Sequence, residues 1–228
     1  MRILYCGLGR AGRECLLQLL STQRVKRSEL LVFTHKGPAN QEFLDMLSAL
    51  DMTFETESIN KHQDRVGWKA MNLHPSLLPD YKGCLSSVHA LLNGEAETGY
   101  TFHYVTPEVD AGNILLQERV PVLEEDTAFS LYHKLLSGFV RNFNTAFDRL
   151  VEGDPGLDQS GIPGKRRYFG RDLPHAGKLV ASEVNFDFAC RFVRAMHFPP
   201  FPGAIFDLAD RELEILDPAD LEPYRRHF

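Results

Sequence analysis

The sequence is poor in the features that mark several protein classes. It has four cysteines in 228 residues, Cys6, Cys15, Cys84 and Cys190. None forms a C-x-x-C pair, and their scatter fits neither a zinc pattern nor a dense disulfide scaffold, so buried free thiols are expected. No apolar run approaches the ~20 residues of a membrane-spanning helix. The opening MRILYCGLGRAG runs from a short apolar stretch straight into glycines, which is not the layout of a signal peptide. Positive charge is not in excess: 25 Lys and Arg face 31 Asp and Glu, a net of −6. Residues 1–150 carry 15 basic and 18 acidic side chains, and 151–228 carry 10 and 13. Neither part is a basic nucleic-acid module, and no polybasic segment marks a membrane anchor. The run Lys165-Arg166-Arg167 reads as a solvated loop. Repeats, low-complexity tracts and metal-ligand spacings are also missing, so no metal is expected. What remains is a globular composition, 43% hydrophobic and 25% charged. A cytoplasmic protein with reduced thiols is the working expectation. At roughly 150 residues per domain, the length suits one sizeable core with a small appendage.

Periodicity organises the chain. Arg2–Cys6 reads as a buried strand, followed by a helix with Cys15, Leu16, Leu19 and Leu20 on one face. Leu30–Thr34 is a second strand, and Gln41–Leu50 a second amphipathic helix. This alternation predicts a parallel sheet covered by helices. Ala70–His74 is the next strand, stopped by Pro75. Ser86–Leu92 reads as a helix, Thr98–Val105 and Asn113–Val122 as strands, and Thr127–Val151 as a long helix with an acidic start. The Gly-, Pro- and Asp-rich stretch 153–164 is the best boundary. The expected architecture is α/β: a Rossmann-like parallel-sheet domain over 1–152, then a small C-terminal α+β subdomain over 153–228. The latter holds a helix near Phe186–Arg194 and a strand pair near 203–217.

Gly7-x-Gly9-x-x-Gly12 follows a strand and opens a helix, the context of a dinucleotide fingerprint. The acidic residue that should follow the second strand is absent; Thr34-His35-Lys36-Gly37 stands there. Three readings stay open. Lys36 could serve a phosphorylated nicotinamide cofactor in an NADP-dependent oxidoreductase. The glycines could serve strand-to-helix packing alone. Gly9 and Arg10 could meet the phosphate of some other ligand.

The densest polar signal is Asn72-Leu73-His74-Pro75-Ser76-Leu77-Leu78-Pro79-Asp80-Tyr81-Lys82-Gly83. Asn72 and His74 stand at i and i+2 of a strand, so both face one side. Pro75 places them at the strand's C-terminal edge, where open α/β sheets bind ligands. Asp110 follows in the loop before Gly112. An amide donor, an imidazole and a carboxylate suit acyl transfer to an amine. Turn residues without chemistry remain the rival reading. His103 and His197 are read as structural.

Asn72-x-His74-Pro75-Ser76-Leu77-Leu78-Pro79 with Tyr81-Lys82-Gly83 resembles the signature of formyltransferases that use 10-formyltetrahydrofolate. Asn93-Gly94-Glu95, Thr98-Gly99 and Asp110-Ala111-Gly112-Asn113-Ile114-Leu115 follow in the family's order and spacing. The resemblance is strong over 66–151. The tail, Tyr168-Phe169-Gly170-Arg171-Asp172-Leu173-Pro174 and then Phe192–Ala204, is similar to the sugar N-formyltransferases. They act on nucleotide-linked amino-dideoxy sugars, as in O-antigen and other surface polysaccharide biosynthesis. His103-Tyr104-Val105-Thr106 is similar to glycinamide ribonucleotide formyltransferase, the alternative within the family. A tRNA substrate is disfavoured by the short acidic tail.

The resemblance implies roles. His74 takes the proton of the attacking sugar amine, Asn72 steadies the oxyanion, and Asp110 supports His74. Ser76, Leu77, Leu78 and Pro79, with Asp110, correspond to the folate-contacting loop. Tyr81, Lys82 and Gly83 approach the sugar-nucleotide, with Lys82 either a point charge on the diphosphate or a solvated loop cation. Phe198 is either a wall beside the sugar or part of a packed turn. The partners implied are folate and a nucleotide-linked amino sugar, with no nucleic acid and no membrane, in a possible homodimer.

One departure stands out. The family places a further strand and helix before the Asn-x-His strand, whereas Ile59–Trp68 is polar and too short for such a crossover. A compact variant, a chain lacking a segment, and a nucleotide-sugar-binding protein with an incomplete folate site are the three readings.

Overall fold

The computed structural model describes residues 3–7, 9–23, 25–56, 70–164, 167–168 and 170–228. The short stretch Ile59–Trp68, and Lys165 and Arg166 of the basic run, lie outside the described residues. The chain forms two compact units, 1–70 with 136–154, and 71–135 with 155–228. These units are interleaved, whereas the expected domains 1–152 and 153–228 are consecutive.

The first unit holds β1 (Ile3–Cys6), α1 (Gly9–Ser21), β2 (Leu30–Phe33), α2 (Gln41–Ala49) and β3 (Phe54–Glu55). The strands form a parallel sheet in the order β1-β2-β3, with Cys6 opposite Phe33. Leu16, Leu19, Phe43 and Leu47 are fully buried, so both helices turn their apolar stripes inward as their periodicity predicts. The glycine turn between β1 and α1 is a packing device. A Cβ on Gly12 would come within 2.7 Å of the Gly7 carbonyl carbon, and one on Gly7 within 2.5 Å of the Tyr5 ring. The Gly9 N–H is donated to the Asn40 side chain at 2.7 Å. Buried Asn40 also donates to Thr34 Oγ1 and the His35 carbonyl, which ties the two strand-to-helix turns together.

The second unit begins with β4 (Met71–His74), β5 (Lys82–Gly83), α3 (Ser86–Leu92), β6 (Glu97–Tyr104) and β7 (Ile114–Pro121). Here the sheet β4-β6-β7 is antiparallel, so the three-stranded all-parallel sheet of the α/β class is the one in the first unit. The long helix α4 (Ala128–Glu152) enters both units. Then come β8 (Arg167–Tyr168), β9 (Lys178–Val180), α5 (Phe186–Met196), β10 (Ala204–Asp207) and β11 (Glu212–Ile215). β5 pairs with β8, and β9, β10 and β11 form a mixed sheet on which α5 packs, with Phe192 against Phe206. This last group is the small α+β element expected at the C-terminus. It shares a unit with β4–β7 because Leu157 pairs with Ile114, β8 pairs with β5, and Arg191 of α5 donates to the Leu92 carbonyl.

All four cysteines are free thiols, but only Cys15 is buried, and burial pushes its thiol up to about 12. Cys6 is exposed, and Cys84 and Cys190 are half-buried, which corrects the expectation of buried thiols. Hydrophobic pattern locates strands and helices, but it does not say which face of a short strand or turn is covered.

Candidate active site

The β4 register puts Asn72 opposite His103 and His74 opposite Thr101 on β6. Asn72 and His74 therefore share a face, as the i and i+2 spacing predicts, and His103 joins them from the neighbouring strand. Asp110 reaches the same point from the loop between β6 and β7. Its carboxylate lies 3.3 Å from His74 Nδ1 and 3.4 Å from His103 Nε2, and it accepts the Gly83 N–H at 2.8 Å. Asn72 Nδ2 stands 3.1 Å from His103 Nε2 and 3.4 Å from Asp110 Oδ1. The three residues singled out from sequence thus converge. His103, expected to be structural, belongs to the cluster. The signal that reveals it is strand register, which opposes it to Asn72.

The proton positions follow from the acceptors. His74 Nε2 lies 2.8 Å from the Tyr81 carbonyl, which can only accept, so Nε2 carries a proton. The lone pair of the neutral ring is then on Nδ1, facing Asp110. Burial is the main influence on His74 and holds its imidazole below the usual histidine range. Asp110 and the Tyr81 carbonyl oppose that, while His103 and Lys82 add to it. Burial alone would raise Asp110, but the hydrogen bond with His103, the charge of His74 and the Gly83 N–H together hold its carboxyl below the usual range. Near neutral pH the pair is an ionised carboxylate beside a neutral imidazole. His103 Nδ1 lies 2.8 Å from the Tyr104 carbonyl and donates to it. Its Nε2 then accepts from Asn72 when the ring is neutral and donates to Asp110 when it is charged.

The turn after β4 is rigidly supported. Ser76 and Leu78 are buried, and Leu77 lies over Gly99. Fully buried Thr101 donates to the Ser76 carbonyl and accepts the Leu78 N–H, and Gln117 Nε2 donates to both Thr101 Oγ1 and the Leu78 carbonyl. The Leu78–Pro79 peptide is cis. Tyr81 is buried, with its hydroxyl donated to Glu95. Lys82 is 4% exposed, which excludes the solvated loop cation; its charge acts on His74. Gly83 contributes its N–H to Asp110. Phe198 sits in an aromatic cluster with Phe129, Tyr132 and Phe201, as a packed turn would place it. His197 Nδ1 stands 3.2 Å from the Leu216 carbonyl. Gly9 and Arg10 belong to the first unit. The Arg10 side chain pairs with Glu14 one turn along α1.

A cavity of about 240 Å³ opens beside the cluster. Asn72, His103 and Asp110 line it, together with Val105, Pro107 and Val109 of the loop. His74 lies behind Asp110, 3% exposed. An amide donor and a carboxylate on a wall of mixed polar and apolar side chains, Thr106 and Glu108 among them, suit the reactive end of a polar heterocyclic ligand. The volume is below the 300–1,000 Å³ of whole-ligand pockets, so it admits one end of such a group.

Among the described residues, no helix is long and apolar enough to cross a membrane. Comparison with known proteins agrees with the geometry. The chain is 44% identical over 141 residues to the GDP-perosamine N-formyltransferase of Brucella melitensis, covering 61% of this chain and 52% of that protein. It spans about half the length of the curated relatives it matches. The fold is that of the 4-N formyltransferase from Francisella tularensis, with a TM-score of 0.76 at 18% identity, covering 94% of this chain and 96% of that one. It is likewise that of WlaRD, a sugar 3N-formyl transferase, with a TM-score of 0.76 at 21% identity over 90% of this chain and 82% of that one. Residues 61–141, which contain Asn72, His74, His103 and Asp110, match the formyl transferase family.

Proposed function

We propose that this chain transfers a formyl group from 10-formyltetrahydrofolate to the amine of a nucleotide-linked amino sugar. The convergence of Asn72, His74 and Asp110 on one cavity carries the reading. The relative named for GDP-perosamine makes a GDP-linked amino sugar the first substrate to try. Bound, 10-formyltetrahydrofolate supplies the formyl carbon, and its formyl oxygen gathers negative charge as the amine attacks. The Asn72 amide, at the cavity wall, offers an N–H to that oxygen. The resemblance gives the amine's proton to His74, but His74 is 3% exposed and does not line the cavity, so in this reading Asp110 meets the amine and shares the proton with His74 Nδ1 behind it. The pair returns the proton to the departing nitrogen as the new C–N bond replaces the old one. The Ser76–Pro79 turn, held by Thr101 and Gln117, is assigned to the folate side. Tyr81, Lys82 and Gly83 are assigned to the sugar-nucleotide side, where burial gives Tyr81 and Lys82 a supporting part. A cytoplasmic homodimer goes with this reading through the family resemblance, and sedimentation tests the dimer.

The direct test is mass spectrometry of a panel of GDP- and dTDP-linked amino sugars after incubation with the protein and 10-formyltetrahydrofolate. One substrate should gain one formyl group. No gain on any of them refutes the reading. The rival is a nucleotide-sugar-binding protein without folate binding, favoured by the short segment before β4. Separate calorimetric titrations with each ligand distinguish it.

A further inference from the structure

The segment after α4 runs along every loop that shapes the site. Leu157 exchanges two backbone hydrogen bonds of 2.8 Å with Ile114. The Gln159 amide nitrogen donates to the Asp110 carbonyl at 3.1 Å and to the Gly112 carbonyl at 2.6 Å. Gly164 lies against the Pro79 carbonyl. Arg167 and Tyr168 pair with Lys82 and Gly83, and the Gly83 N–H then reaches the Asp110 carboxylate. Both ends of Asp110, its backbone and its carboxylate, are therefore held by residues that this segment fixes.

Asp110 needs such support. Its φ of 49° is left-handed, a region that Asp enters more readily than most side chains but still at some cost, so contacts that fix it matter. Gly112, two residues on, packs so closely on the Tyr104 carbonyl that a Cβ there would come within 1.8 Å of it. Gln159 is 3% exposed, and its own side-chain oxygen has no partner among the described residues. An unpaired buried oxygen costs free energy that an apolar side chain would avoid. Packing therefore does not account for an amide at this position, whereas its two donated hydrogen bonds do.

We propose that Gln159, outside the segment 61–141, is the positioning residue that sets Asp110 against His74 and Asn72. The proposal rests on the formyl-transfer reading for its kinetic consequence, though not for its structural one. The test compares Gln159→Met, which keeps the volume and removes both donors, with Gln159→Asn, whose amide is one methylene shorter. Steady-state kinetics, thermal melting and hydrogen exchange at the Gly83 amide are measured on the full chain. Misplacing a reacting group by about 1 Å can cost on the order of 100-fold. The expected result for Gln159→Met is a kcat lower by about 10- to 100-fold, with KM for the sugar-nucleotide within about twofold. The Gly83 amide should exchange about tenfold faster, while the melting temperature falls by no more than the roughly 2–8 °C that two lost hydrogen bonds explain. Gln159→Asn should fall between the two. Wild-type kcat and Gly83 protection in folded Gln159→Met overturn the proposal. So does a parallel loss of kcat, KM and melting temperature, which marks a general structural effect. If Gln159→Met does not fold, Gln159→Asn decides by the same readouts. If the wild type transfers no formyl group, the functional reading fails, and Gly83 exchange alone then decides this one: faster exchange upholds it and unchanged exchange overturns it.

Discussion

Replacing Asp110 by Asn tests the centre of the site. The substitution keeps the shape and removes one charge from beside His74 Nδ1, 3.3 Å away. Unit charges about 4 Å apart interact by about 4 kcal/mol at an effective dielectric near 20. Desolvation of both groups offsets much of that. A net loss of about 1.5–3 kcal/mol for the imidazolium is a fair expectation, equivalent to about 1–2 pH units at 1.36 kcal/mol each. The sign is fixed: without the anion the charged ring is less stable, so His74, already held below its ordinary range by burial, titrates lower still. Turnover should fall by about 100-fold or more, the usual worth of a general base. The assays are a kcat–pH profile and NMR titration of the His74 ring. Stability gives an independent check. Asp110 is depressed in the folded state, so its contribution is complete above about pH 4 and is lost as pH falls through its lowered value. The stability gap between wild type and variant should be constant above about pH 6.5, widen as pH falls through the His74 titration that the variant lowers, and close as pH falls through the lowered Asp110 value. Turnover within about tenfold of wild type, or a His74 titration that rises, would refute the coupling argued here.

Other outcomes follow from the same geometry. Asn72→Ala should cut kcat by about 100-fold or more, the worth of one oxyanion donor, while sugar-nucleotide binding measured by calorimetry stays nearly intact. Asn40→Ala removes three hydrogen bonds of a buried amide and should lower stability by about 2–4 kcal/mol in denaturant titration. Gly112→Ala places a Cβ where the Tyr104 carbonyl stands, so expression of folded protein should collapse, as read by circular dichroism and yield. His74 is depressed by burial, and so is His89, to about 4. The unfolded chain therefore binds protons that the folded chain does not, and stability should decline as pH drops below about 6.5. His89→Asn should flatten part of that decline in melting curves.

Much of this arrangement is legible in the sequence because it is local. The two-residue spacing of Asn72 and His74 and the stop at Pro75 define a face and an edge without knowledge of the fold. The apolar stripes of α1, α2 and α5 and the acidic residues before α4 locate their helices within a few residues. Other parts are illegible for a physical reason. His103 enters the site through a strand register, which depends on pairing 31 residues away. Gln159 enters through a side chain 47 residues from the carbonyl it holds. The Gly83 N–H and the Tyr81 carbonyl are backbone groups, present at nearly every position, so no residue type announces them. Lys82 carries a charge that suggests solvent, but β5 pairs with β8 and buries it.

The two strongest sequence motifs have different fates. The glycine turn satisfies the pattern of a phosphate cradle, yet its first N–H is already donated to Asn40, and Gly7 and Gly12 press together where a ligand's phosphate would need room. The missing carboxylate after β2 agrees: Thr34 and His35 there serve as acceptors for Asn40 instead of a ribose contact. The Asn-x-His strand has the opposite character. Each histidine bonds a backbone carbonyl through one ring nitrogen and turns the other toward Asn72 or Asp110, and three of the four side chains in that network line a cavity. Polar groups that bond to the backbone of neighbouring turns build a fold, whereas polar groups that bond to one another at a cavity wall can exchange protons with what enters. By that distinction the chemistry resides in the second unit, and the glycine motif belongs to the architecture of the first.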